Sequence, residues 1–264
     1  MSGKPVRRRR PGVLQKAGLD AGSLPDPGDD QIRAWTAEIG RELLAKSGWI
    51  DEPNFTAIHP SDLKTLFGAY DQRFLEGFVR KRLAEGDLSF RLSARMTRAA
   101  GKTSYRPGAH GSTRYEIAIS TEMLFHGFGE DEAPIDVVGR PCANRLEALQ
   151  RVFEHELVHL VEFLGTGTSN CKAPPFQELA HRLFRHRHHT HTLVTRRTRA
   201  ARQGIQIGSP VSFTYRGRYR EGRIGRITKR ATVFVEDPEG RWHADGRSYT
   251  KYYVPLDELV ALEE

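Results

Sequence analysis

Two histidines four residues apart, His155 and His159, stand in the stretch FEHELVHL (153–160), with Glu156 directly after the first. On an α-helix, residues four apart lie one turn apart on the same face. Two imidazoles so placed can both reach one tetrahedral ion at about 2.0–2.1 Å. Glu156 falls just off that row, where a carboxylate can take a proton from ion-bound water without occupying a coordination position, and later pass it to a leaving amine. Zinc lowers the pKa of its water to about 7, so the chemistry this pattern points to is peptide hydrolysis at neutral pH. The plain alternative is a surface histidine pair beside an exposed glutamate.

A catalytic zinc needs a third protein donor and leaves its fourth position open. Downstream the chain reads LVEFLGTGTSNCKAPPFQELAHRLFRH (160–186). Cys171, in a loop, offers a thiolate; Glu178 offers a carboxylate on a following helix; His181 offers an imidazole. The residue types alone leave Cys171, Glu178 and His181 open, and a small buried role for Cys171 stands beside them.

The helix that must carry the two histidines is well specified. Asn144 suits its N-cap with Glu147 three residues on, and Leu146, Leu149, Val152, Phe153, Leu157, Leu160 and Leu164 form its apolar stripe. Gly165 is expected to end it as a left-handed C-cap. Before it, DQIRAWTAEIGRELLAKSGW and HPSDLKTLFGAYDQRFLEGFVRKRL carry helical periodicity. LSFRLSARMT and YEIAIS alternate as strands, AGKTSYRPGAHG (100–111) reads as turn and loop, and TEMLFHGFG as a short helix capped by Thr121. After it, a further helix is expected around PFQELAHRLFRH. Beyond residue 203, short β-rich runs separated by Gly, Asp and Pro predict a small antiparallel barrel of about five strands, SH3-like or Tudor-like.

The totals bound the rest. The chain has 264 residues, a formal charge of +8, a hydrophobic fraction of 38% and a mean hydropathy of −0.56. That length serves one large domain or a main domain with a smaller one, and the basic excess favours a polyanionic partner. Two cysteines, Cys142 and Cys171, exclude a disulfide framework and suggest a reducing compartment. RRRR (7–10) sits in a Pro/Gly/Asp-rich opening read as a disordered basic tail. The basic N-terminus has no apolar segment behind it and no apolar run is long enough for a membrane span, so a cytoplasmic or nucleoid-associated location is expected; the chain is expected to be a monomer.

At these residues the chain resembles the SprT-like metalloprotease family, which includes the Spartan proteases. YDQRF, LSFRLSARMTRAAGKT, EIAIS, HELVH and FQELAHRLF carry the resemblance, which runs from residue 70 to residue 186. In that family the third zinc ligand is a histidine a few residues before the aromatic corresponding to Phe176. Here that place reads SNCKAPPF, and Cys171 falls within one residue of it. The resemblance therefore implies one Zn2+ held by His155, His159 and Cys171, with Glu156 as general base. It also implies an α+β fold: a zincin-like domain with a small twisted sheet and the H-E-x-x-H helix, followed by the SH3-like barrel. An edge strand above the cleft would pair with an extended substrate, with EIAIS as the strand near the site. The implied activity is proteolysis of DNA-associated proteins. The domain organisation expected is a tail (1–29), the protease domain (30–186), a basic linker (187–203) and the barrel (204–264).

Two tracts without an acidic residue flank the motif, between Asp87 and Glu116 and between Glu178 and Glu221. From them and the barrel, Arg91, Arg95, Arg98, Arg196, Arg197, Lys229 and Arg230 are the candidate phosphate contacts, expected to bind nucleic acid without sequence preference. The barrel's tyrosines and Trp242 are candidate stacking groups or core fillers. His186, His188, His189 and His191 read as part of a flexible basic linker, or as a second metal site; His110 and His126 stand too isolated to assign. The competing function is a structural zinc site in a non-catalytic nucleic-acid-binding or transcription-associated protein; a metal-dependent hydrolase of a non-peptide bond is a third.

Overall fold

A computed structural model describes residues 24–84, 87–108, 112–128 and 135–262; the arginine run at 7–10 and His110 lie outside them. The fold is mixed α+β, as expected. In chain order its helices are α1 (Asp29–Lys46), α2 (Pro60–Phe74), α3 (Thr121–His126), α4 (Arg145–Thr166), α5 (Pro174–Phe184) and α6 (Arg196–Arg202). Its strands are β1 (Leu88–Ser93), β2 (Gly101–Pro107), β3 (Thr113–Ser120), β4 (Ile135–Val137), β5 (Arg140–Cys142), β6 (Pro210–Tyr215), β7 (Arg218–Ile227), β8 (Ala231–Trp242), β9 (Ser248–Val254) and β10 (Val260–Ala261).

Helices α1, α2, α4 and α5 and one face of the three-stranded sheet β1-β3-β2 enclose the larger core. Tyr70, Phe74, Phe153, Phe176 and Phe184 are fully buried there, and burying a side chain of this kind is worth about 1.5–3 kcal/mol. β3 is the central strand, parallel to β1 and antiparallel to β2. Helix α4 starts as expected, with Asn144 accepting from the Glu147 N–H at 2.9 Å while Glu147 reaches the Ala143 N–H at 2.9 Å. All seven residues of its apolar stripe are buried.

Several expectations are corrected. Gly165 stays helical, and α4 ends two residues later at Gly167, whose φ of +76° is the left-handed turn. Ser120, not Thr121, caps α3, accepting from the Met123 N–H at 3.1 Å. The segment read as loop at 100–111 contains β2, paired with β3 from Gly101↔Ile119 to Pro107↔Thr113. Its polar and small residues conceal a strand because one face lies on α4 and the other is open, so side-chain hydrophobicity is not what holds it; the ladder is.

The segment 187–203 is not a free linker. Residues 187–192 lie against the β4–β5 hairpin, with Val138 N–H donating to Thr190 O at 2.8 Å, Arg187 N–H to Val138 O at 2.9 Å and Thr192 N–H to Asp136 O at 2.8 Å. Leu193 belongs to the larger core, and Ala200 of α6 already belongs to a second one with Val211, Ile224 and Val233. That second core underlies a five-stranded antiparallel sheet of order β10-β6-β7-β8-β9. Its outer strands β9 and β10 do not pair, so hydrogen bonding does not close it into the expected barrel. No helix among the described residues is long and apolar enough to cross a membrane.

Candidate metal centre

The middle of α4 turns His155 and His159 toward a cleft of about 490 Å3. Its other walls are the start of β2 (Gly101 to Thr103), the preceding loop from Arg98, Val137 and Val138 of the β4–β5 hairpin, Cys171, and the strap His189–Thr190–His191. One donor atom from each of His155, His159 and Cys171 lies within 4.8 Å of the others, near enough for a single ion. The four-residue spacing explains the first two. Cys171 arrives because Gly167 breaks α4 and the chain turns back before Pro174 starts α5.

Burial makes this donor set receptive to a cation. Loss of solvent pushes His155 down to about 3, with the His159 ring adding to the effect, and pushes His159 to about 4. Both rings are therefore neutral imidazoles at pH 7, the form that ligates metal. Burial also raises the Cys171 thiol, a penalty that an adjoining cation reverses. His155 Nδ1 is buried with no hydrogen-bond partner among the described residues. The buried Phe176 ring packs against both imidazoles, with centroids 4.9 Å from His155 and 4.5 Å from His159. The three residues thus fit a divalent cation that accepts nitrogen and sulfur donors.

Glu156 faces β2. Thr103 Oγ1 lies 2.8 Å from Glu156 Oε2 and 2.8 Å from the Glu156 backbone carbonyl, so its one proton is shared between them. Burial lifts the Glu156 carboxyl to about 7, against the Thr103 hydrogen bonds, which lower it. A cation between the histidines would draw it down again. The carboxylate is buried yet in the cleft wall, which separates this geometry from an exposed histidine pair on a surface helix.

No protein-family model, curated protein or solved structure matches the chain.

The other candidates fall elsewhere. Glu178 is exposed on α5. His181 is exposed too, its Nδ1 3.2 Å from the His186 carbonyl. Among the described residues only His155, His159 and Cys171 form a group able to hold an ion, so neither the alternative third ligands nor a second metal at the histidine cluster is assembled. The cluster splits: His186 turns into the core, while His189 and His191 line the cleft. The basic candidates also divide. Arg91 pairs with Glu116 at 3.0 Å. Arg196 is half-buried, its guanidinium 3.0 Å from His126 Nε2 and its N–H on Glu122. Arg95, Arg98, Arg197, Lys229 and Arg230 are exposed, Arg230 reaching the Tyr253 carbonyl at 3.4 Å.

Sequence reasoning missed Thr103, which sits in the strand taken for a loop. It also missed the support beneath the motif: Glu154, fully buried one residue before His155, accepts from Arg151 Nη1 at 2.7 Å and Tyr70 Oη at 2.8 Å and meets His186 Nε2 at 2.9 Å. Burial works to raise Glu154, but Arg151 and His186 hold it below the usual carboxylate range. The three-residue spacing of Arg151 and Glu154 on a stripe otherwise apolar was the available signal.

Proposed function

We propose that the chain is a zinc-dependent endopeptidase of the SprT-like type, acting on DNA-associated proteins. The observation that carries this reading is the placement of a buried carboxylate, Glu156, against a cleft wall beside two neutral imidazoles and a thiol. His155, His159 and Cys171 would hold Zn2+. Bound there, the ion supplies Lewis acidity toward water and a peptide carbonyl. Glu156 accepts a proton from the attacking water and returns it to the leaving amine, a role open to a carboxylate that borders the cleft beside the donor group without belonging to it. Thr103 holds that carboxylate on the side of the cleft where an extended chain could run along β2. The sheet edge assigned to this role is β2; EIAIS lies one strand further in, within the central strand β3.

The zincin-like reading of the larger domain rests on its mixed sheet beside the motif helix. An SH3-like reading of the smaller one draws support from a four-stranded meander followed by a one-turn 3-10 helix (Leu256–Glu258) and a short last strand returning to β6. Exposed Arg95, Arg98, Arg197 and Lys229 supply cations for phosphate, with contacts independent of base sequence and weakened by salt. The non-catalytic alternative needs a fourth protein ligand, and no such donor joins the group among the described residues. The deciding experiment is Glu156→Gln. It should abolish cleavage of a DNA-bound test protein while zinc stoichiometry stays at that of the wild type; continued cleavage would refute the assignment.

A further inference from the structure

Behind His159 runs a short relay that the hydrolytic reading does not use. His159 Nδ1 lies 2.6 Å from Ser169 Oγ, and Ser169 Oγ lies 2.5 Å from Glu162 Oε2. The donor order follows from elementary chemistry. Ser169 Oγ donates to Glu162 Oε2, and that uses the one proton the hydroxyl has. The serine oxygen can then only accept from the imidazole, so Nδ1 of His159 carries the ring proton. That leaves Nε2 as a bare lone pair.

The relay also spans two pieces of chain. Glu162 and His159 belong to α4; Ser169 belongs to the loop after Gly167, two residues before Cys171. Asn170 stiffens the same loop, its Oδ1 accepting from the Lys172 N–H at 3.1 Å and its carbonyl from the Ala173 N–H at 2.9 Å. One hydroxyl thus bonds a helix histidine and fastens the loop bearing the thiol.

We infer that Glu162 and Ser169 are a positioning pair that locks His159 in the Nδ1–H tautomer and ties the Cys171 loop to α4, so that two donors from different elements are set before any ion arrives. Its consequence for affinity rests on the metal reading above. Supporting partners of this kind contribute about 10–100-fold to metal affinity.

The test has two arms. In metal-free, 15N-labelled wild-type protein, long-range ring correlations should report His159 with its proton on Nδ1; a proton on Nε2 overturns the proposal without any variant. In the second arm, zinc affinity is measured by chelator competition. Ser169→Ala and Glu162→Ala should each weaken it about 10–100-fold, and Ser169→Thr, which keeps a hydroxyl, should restore most of it. Unchanged affinity in both alanine variants overturns the pair's role. If wild-type protein takes up no zinc at all, the metal reading falls instead, and the tautomer still decides the pair.

Discussion

Gly101 and Glu156 touch: a Cβ added to Gly101 would stand 2.5 Å from Glu156 Oε1 and 2.6 Å from its Cγ. The glycine is needed there because the β2 backbone passes over the carboxylate it helps to hold, and no side chain fits between them. Gly101→Ala should therefore push Glu156 out of place while leaving the donor triad intact. A displacement of about 1 Å at a reacting group costs on the order of 100-fold in rate. Peptidase assays paired with zinc analysis check this: activity near wild type would show that the carboxylate need not sit where it does.

The proposed third ligand is separable by mutation. Cys171→Ala should lose tightly bound zinc, whereas Glu178→Ala and His181→Ala, whose side chains lie on the exposed side of α5, should retain it. Metal stoichiometry after dialysis reads all three. Zinc retained by Cys171→Ala would move the ligand set elsewhere.

Glu154 is a carboxylate with no exposure, balanced by Arg151 and hydrogen-bonded by His186 and Tyr70. Removing one member strands the others in low dielectric. Glu154→Ala should cost about 3–5 kcal/mol of stability, and Tyr70→Phe, which deletes one hydrogen bond to a charged group, about 1.5–3 kcal/mol. Urea denaturation measures both; a loss under about 1 kcal/mol for Glu154→Ala would mean that water reaches the stranded arginine.

The contact between α3 and α6 should depend on pH. Burial first, and then the Arg196 charge, hold His126 below its ordinary value of 6.5, while Glu122 and Asp257 pull the other way and Arg199 adds to the depression. A histidine whose folded pKa is lowered binds fewer protons folded than unfolded. Its contribution is therefore fully present above about 6.5 and lost as pH falls through the lower folded value. Stability should decline on acidification from about pH 7 toward 5, and His126→Gln should flatten that part of the curve. An identical decline in the variant would assign the effect to other groups.

Two of the three residues of the candidate donor group, and the glutamate between them, were legible locally. The spacing of His155, Glu156 and His159 is a helical fact, and a capped apolar stripe from Leu146 to Leu164 guaranteed the helix. Helix α2 and strand β1 followed from periodicity, because burial on one face writes a period into the residues themselves. The end of α4 was misplaced by two residues because Gly165 and Gly167 are the same residue type, and only the loop that must carry Ser169 and Cys171 back to His159 decides between them.

What tertiary structure alone decided is which distant residues meet. Thr103 reaches Glu156 from a strand with no hydrophobic alternation, held by its ladder with β3. Arg196 and Arg91 look like free cations in the chain but are spent on His126 and Glu116. His186 and His191, five residues apart, part company, one going to a buried carboxylate and one to the cleft. Such partnerships depend on long-range packing, where the cost of an unpaired buried charge selects the neighbour, and a linear pattern holds no record of that cost.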